Sequence, residues 1–219
     1  MILQKECEQV VAYGKKLITA GLTKGSGGNV SVFNREAGLI AISPSGMDYF
    51  ETTVDDIVVT DLAGNIVQGH RKPSSELALH LIYYQNRNDV GAVVHTHSTF
   101  ATVLATLGEP LPASSYLVAF AGTKVPCAPY ASFGTEKLAE VTYAATGVSK
   151  AVLMQNHGLV AVGKDLPNAF NIAEQIEQCA KVYVLARAIG NPIILPEDEM
   201  IRMCERFDGG YGQVKTESC

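Results

Sequence analysis

Apolar residues recur along this chain at two different spacings. Residues 3–20 alternate apolar and polar positions with a helical period, and Gly21 stops the run. Val30-Ser31-Val32 alternates with period two, as a strand with one buried face does, and Leu39 to Ser43 predicts a second short strand closed by Pro44-Ser45-Gly46. Ile57–Thr60 and Asn65–Gln68 flank Ala63-Gly64, the pattern of a hairpin. A helix is expected from Pro73-Ser74-Ser75 to about Arg87. A continuous apolar strand then runs from Gly91 into His95-Thr96-His97, followed by a helix from about Ser98 to Leu107. Leu117–Phe120 and Lys124–Ala128 read as strands and Gly134–Ala145 as a helix. Ala151–Gln155 and Leu159–Val162 read as strands around Asn156-His157-Gly158. Two helices close the pattern, Leu166–Ile189 and Pro196 to about Phe207.

Strands alternate with helices while hairpins are also present. This predicts an α/β fold: a central mixed, largely antiparallel sheet with helices packed on both faces, three layers deep. No Pro/Gly/Ser-rich linker divides the 219 residues, so residues 1–219 are read as one domain, with a mobile tail expected from about residue 208. Order within the sheet is not readable from these patterns.

An apolar fraction of 47% supports a sizeable core, and 18% charged residues is too low for a disordered chain. Acids and bases are interleaved to a net charge of −5, with no Lys/Arg cluster, which argues against a nucleic-acid partner. No apolar run approaches the ~18 residues of a membrane span. The start of the chain is charged too early for a signal peptide. The five cysteines are scattered without a CxxC pair, as expected of free thiols in a reducing, cytoplasmic compartment.

Candidate chemistry concentrates in a few short stretches. His95 and His97 stand two apart at the end of a strand, where side chains share a face and both imidazoles can point at one ion. His157, in a tight turn between two strands, can complete the three-ligand set of a catalytic zinc with an open position. A His-x-His pair alone is a weak signal, because satisfied structural histidines are commoner. Its place, where a buried strand gives way to a helix, strengthens it. His80 follows Glu76 by four residues on the same helix face and reads as a packed residue; His70 reads as solvent-exposed. Glu76, in the first turn of its helix, suits either the helix dipole or a general base beside the metal.

Gly25-Ser26-Gly27-Gly28-Asn29 can turn backbone N–H groups inward around an anion. It is neither a dinucleotide fingerprint, since Val30 replaces the third glycine, nor a P-loop. Ser45-Gly46 adds a hydroxyl and an amide, and Ser74-Ser75 opens a helix whose N-terminus attracts anions. Together they suggest a phosphate held by neutral donors.

The stretches Gly28-Asn29-Val30-Ser31, Pro73-Ser74-Ser75-Glu76, His95-Thr96-His97, Cys127 to Thr135 and Asn156-His157-Gly158-Leu159 occur in the order seen in class II sugar-phosphate aldolases, a family that includes ribulose-phosphate 4-epimerases. The chain resembles most the branch that cleaves L-fuculose 1-phosphate to dihydroxyacetone phosphate and L-lactaldehyde. The resemblance implies one zinc ion on His95, His97 and His157, with Glu76 as the acid/base and a fourth ligand without substrate. It implies phosphate contacts from Ser26, Gly28, Asn29, Ser45, Gly46, Ser74 and Ser75, with Phe133 lining the aldehyde side. It also implies a homotetramer in which Tyr116, donated by a neighbouring subunit, protonates the aldehyde oxygen and Tyr211 helps position the aldehyde.

Burial is expected to raise the Glu76 pKa toward neutrality, against the pull of the metal. No lysine lies in the motifs, which argues against a Schiff-base aldolase. Within the family, the 4-epimerase differs in having Asp at the Glu76 position and a later histidine, which this chain lacks after His157. A dehydratase of methylthioribulose 1-phosphate is a further relative. Outside it, a zinc hydrolase would leave the anion-binding loops without purpose. A non-catalytic zinc protein would be expected to show four ligands, mostly cysteine.

Overall fold

The computed structural model describes residues 1–209. Eight strands form one sheet: β1 Asn29–Asn34, β2 Leu39–Ile42, β3 Val58–Asp61, β4 Ile66–Gln68, β5 Ala92–Thr96, β6 Cys127–Ala128, β7 Ala151–Met154 and β8 Gly158–Gly163. Their spatial order is β4-β3-β2-β1-β5-β8-β7-β6. All neighbours are antiparallel except β6 and β7. This is the mixed, largely antiparallel sheet expected from the alternation of hairpins and helices.

Among the described residues six α-helices surround it, α1 Gln4–Thr19, α2 Leu77–Asn86, α3 Thr99–Leu107, α4 Glu136–Thr146, α5 Leu166–Ile189 and α6 Glu197–Asp208, the last packing on the segment Tyr116–Phe120. Strand alternation decides which face each residue joins. Ala92, Val94, Leu159 and Ala161 pack with α1, α3 and α5 through residues such as Leu17, Leu104 and Ile176. Val93, Val160 and Val162 point the other way, toward α2 and α4 through Leu79, Tyr83 and Leu138. Each fully buried branched or aromatic side chain contributes about 1.5–3 kcal/mol relative to exposure. Both helical layers are thereby held to the centre of the sheet.

Two strand expectations fail. Leu117–Phe120 belongs to a 3-10 helix, Tyr116–Phe120, because the Ser115 hydroxyl accepts from the Leu117 N–H and caps it. Of Lys124–Ala128 only Cys127–Ala128 pairs as a strand. Pro126 has no N–H to donate, and Val125 instead makes an isolated bridge with Leu111. The second helix begins at Leu77 rather than in Pro73-Ser74-Ser75, which leaves Glu76 at its N-cap position rather than in its first turn. Among the described residues the cysteines Cys7, Cys127, Cys179 and Cys204 are free, and no helix is long and apolar enough to cross a membrane.

Candidate active site

Three neighbouring central strands bring their ends together at one end of the sheet. Asn29, the first residue of β1, is paired with His95 near the end of β5, and Thr96 is paired with Leu159 at the start of β8. The approach is so close that two neighbouring residues must be glycine. A Cβ on Gly28, whose φ is +69°, would lie 2.6 Å from the His95 carbonyl oxygen, and one on Gly158 would lie 2.2 Å from that of Thr96. His157 sits in the turn before β8, where Asn156 takes a positive φ of 55° and the His157 N–H donates to the Met154 carbonyl.

This packing brings the three sequence-predicted imidazoles together. The ring centroids of His95, His97 and His157 lie 4.8, 4.9 and 5.2 Å apart, and one ligand nitrogen from each falls within 4.8 Å of the others. His95 Nε2 and His97 Nε2 are 3.0 Å apart. The other nitrogen of His95, Nδ1, lies 3.0 Å from the Leu159 carbonyl oxygen, which can only accept. Nδ1 therefore carries a hydrogen, and Nε2 is the nitrogen that faces Glu76 and the cluster. Burial first, and then the His95 charge, push His97 and His157 down to about 4, so both rings are neutral at neutral pH, as ligands must be.

Glu76 is buried beside them. Its Oε2 lies 3.2 Å from His95 Nε2 and accepts from Asn29 Nδ2 at 3.0 Å, while Oε1 lies 3.4 Å from His157 Nε2 and has no hydrogen-bond partner. The expectation of a raised pKa is corrected here. Burial does push it up, but His95, then His157 and the Asn29 amide, outweigh burial and hold the carboxyl well below the usual carboxylate range. In turn the Glu76 carboxylate overrides burial and raises His95. Three convergent imidazoles, a buried carboxylate and an unpartnered oxygen are a donor set that fits a divalent cation.

A cavity of about 410 Å³ opens in front of His97, His157 and Glu76. Ser26, Gly28, Asn29, Ser45, Gly46, Ser74, Ser75 and Phe133 all line it, as do Gly27, Pro44, Tyr130, Ala131 and Asn156. The bridge between Pro44 and Pro73, with Ser45 N–H donating to Lys72 and Ser74 N–H to Ser43, places the Ser45-Gly46 and Ser74-Ser75 stretches side by side. No Lys or Arg is among the lining residues, so an anion here meets hydroxyls, amides and the N-terminus of α2.

Other candidates lie elsewhere. Tyr116 begins the 3-10 helix, is half exposed, and stands with its ring 6.4 Å from that of Phe207 rather than in the cavity. Tyr211 lies outside the described residues. His70 is exposed, near Asp56, and His80 is fully buried, both as expected. Burial, then the His95 charge, push His80 down to about 3. Sequence reasoning missed Tyr130, although it sits within a stretch that carries the family likeness. It also missed the polar partners of His80, which the Glu76/His80 spacing hints at only as a shared helix face.

Residues 8–184 match the family described as Class II Aldolase and Adducin N-terminal domain. The chain is 55% identical over 213 residues, 97% of its own length and 100% of the relative's, to 5-deoxy-D-ribulose 1-phosphate aldolase of Bacillus thuringiensis serovar kurstaki. It is 43% identical to 5-methylthioribulose-1-phosphate/5-deoxyribulose-1-phosphate aldolase of Rhodospirillum rubrum, covering 88% of this chain and 86% of that one. A solved structure of L-fuculose 1-phosphate aldolase superposes with a TM-score of 0.92 at 52% identity, covering 93% and 96% of the two chains.

Proposed function

The chain belongs to the class II aldolase family, and on that premise we propose that it reversibly cleaves a 5-deoxypentulose 1-phosphate to dihydroxyacetone phosphate and acetaldehyde. The observation that carries the reading is Glu76. It is a buried carboxylate seated between His95 and His157 with one oxygen unpartnered, facing a cavity whose far wall is built from neutral anion donors. An acid/base, a metal-ligating cluster and a phosphate cradle are the parts that aldol chemistry on a sugar phosphate requires.

His95, His97 and His157 would hold the cation, and zinc suits three imidazoles with an open position. When bound, it supplies Lewis-acid polarisation of the ketose carbonyl oxygen. Every other task falls to the chain itself. In the synthetic direction the hydroxyls of Ser26, Ser45, Ser74 and Ser75 and the N-terminus of α2 hold the phosphate, fixing the three-carbon unit in reactive geometry. Glu76, already ionised, removes a proton from the hydroxymethyl carbon. That carbon attacks the aldehyde, and the new alkoxide takes a proton from Tyr116 of a neighbouring subunit in a homotetramer. The proton left on Glu76 returns to the tyrosinate through solvent.

The deoxypentulose is placed first because both curated relatives named above carry it in their names, one of them at 55% identity over its whole length. The exposed rings of Phe133 and Tyr130 suit an aldehyde whose far end is a methyl group. A second reading, L-fuculose 1-phosphate giving L-lactaldehyde, is favoured by the name of the similar solved structure. Purified enzyme should be offered 5-deoxyribulose, methylthioribulose and L-fuculose 1-phosphates, with and without a chelator, and dihydroxyacetone phosphate measured. Release from the first at the highest kcat/KM, abolished by the chelator, is expected. No release from any of the three would end the proposal.

A further inference from the structure

From Asn29 at the cavity wall, a line of buried polar side chains that takes no part in the steps above runs into the interior. Asn29 Oδ1 lies 2.5 Å from His80 Nε2, His80 Nδ1 lies 2.6 Å from Ser31 Oγ, and Ser31 Oγ lies 2.6 Å from the Tyr84 hydroxyl. All four residues are nearly or fully buried. They run from the start of β1 across to α2 in the middle of the apolar layer around Tyr83 and Leu79. Apolar side chains could fill the space of His80 and Tyr84 but would strip the buried Asn29 amide oxygen and Ser31 hydroxyl of these partners, so packing alone does not account for them.

The direction of every hydrogen in this line follows from its Glu76 end. A carboxylate oxygen only accepts, so the Asn29 group facing Glu76 Oε2 at 3.0 Å is the NH2. The amide oxygen of Asn29 therefore faces His80, and Nε2 of that ring must carry a hydrogen. In the neutral ring Nδ1 is then bare and accepts from the Ser31 hydroxyl. Ser31, its one hydrogen spent, accepts from Tyr84. Reversing any link would set two acceptors or two donors against each other in the interior. Asn29 matters because Glu76 has few other restraints: among the described residues Oε1 has no hydrogen-bond partner, and Oε2 is held only by Asn29 and His95.

Resting on the reading of Glu76 as acid/base, we infer that His80 is a positioning residue. Backed by Ser31 and Tyr84, it locks the Asn29 amide with its NH2 toward Glu76, anchoring Oε2 and leaving Oε1 as the oxygen that meets the substrate.

The test compares zinc-loaded wild type with His80→Phe, His80→Gln and Ser31→Ala. Deuterium exchange into dihydroxyacetone phosphate is followed without aldehyde, alongside crystal structures of the variants. His80→Phe removes the donor and should lower exchange kcat about 30- to 100-fold through misplacement of Glu76. Its KM should stay within about threefold of wild type. His80→Gln offers an N–H to Asn29 and an oxygen to Ser31, and should recover exchange to within about fivefold. Ser31→Ala, which keeps the ring and most of the volume, should lose at least about fivefold. In His80→Phe crystals the Asn29–Glu76 contact should open. Equal losses in His80→Gln and His80→Phe would mark a packing residue and overturn the inference. So would an unmoved Glu76 with near-normal exchange in His80→Phe and Ser31→Ala. Should wild type itself neither exchange nor cleave, the acid/base reading fails instead, and the position of Glu76 in the His80→Phe crystals still decides the role of His80.

Discussion

Glu76→Gln separates chemistry from architecture at this site. The two side chains have the same shape, and the local partners dictate how the amide sits. Asn29 Nδ2 donates to Oε2, so the glutamine oxygen takes that place and its NH2 falls where Oε1 has no partner. No buried donor loses its acceptor, and the three imidazoles are untouched, so fold and metal content should survive. What disappears is the carboxylate proposed to take the proton from carbon. Loss of a positioned general base costs about 10²- to 10⁴-fold in rate, or about 3–5 kcal/mol of barrier. Glu76→Ala is the informative companion. It strands the Asn29 NH2 in the interior and should cost about 1–3 kcal/mol of stability on top of the lost activity. Dihydroxyacetone phosphate release in a coupled assay, with metal per subunit from emission spectroscopy and urea unfolding for both variants, reads each quantity separately. A glutamine variant with full metal and turnover within about tenfold of wild type would refute the reasoning.

Three further outcomes follow from the same geometry. Gly28→Ala puts an L-residue at a φ of +69° with its Cβ 2.6 Å from the His95 carbonyl, so β1 and β5 must part; it should lose about 2–3 kcal/mol in urea unfolding and bind zinc more weakly, and an unchanged midpoint would sink the idea. His80, held at about 3 against its ordinary 6.5, stays neutral in the folded chain while the unfolded chain takes up a proton between those values, so stability is lost as pH falls through that window. That one ring should cost about 2 kcal/mol between pH 8 and pH 5, and His80→Gln should flatten the pH slope of unfolding by that amount; equal slopes would contradict the assignment. Dialysis against a chelator should stop cleavage and zinc should restore it, while His157→Ala should fail to retain one metal per subunit; full turnover by metal-stripped enzyme is the refuting result.

Much of the fold was legible because its strongest signals are local. The apolar run into His95-Thr96-His97 and the turn at Asn156-His157-Gly158 could be placed from periodicity and turn chemistry. The pairing that joins them could not, since Thr96 meets Leu159 and Asn29 meets His95 across more than sixty residues of chain. Leu117–Phe120 has the composition of a strand, but a single serine hydroxyl at its head settles it as a 3-10 helix. In the site, residue types and spacing singled out the three histidines that the fold brings together and the serine and glycine stretches that line one cavity. The direction of the Glu76 pKa was misjudged because burial is readable from an apolar context, whereas a histidine from another strand at 3.2 Å is not. The line from Asn29 to Tyr84 escaped for a related reason. A four-residue spacing says that Glu76 and His80 share a side of a helix, not that the second of them touches a strand.

The scattering of the site along the chain governs when it can acquire a metal. His95 and His97 arrive together, but Glu76 comes from the loop ahead of α2, and the third imidazole waits until β7 and β8 have closed their turn. During synthesis the pair alone offers two nitrogens, a poor trap for any ion. Three-nitrogen chelation requires β8 paired on β5, so the folded protein rather than the extended chain does the choosing among the cell's cations.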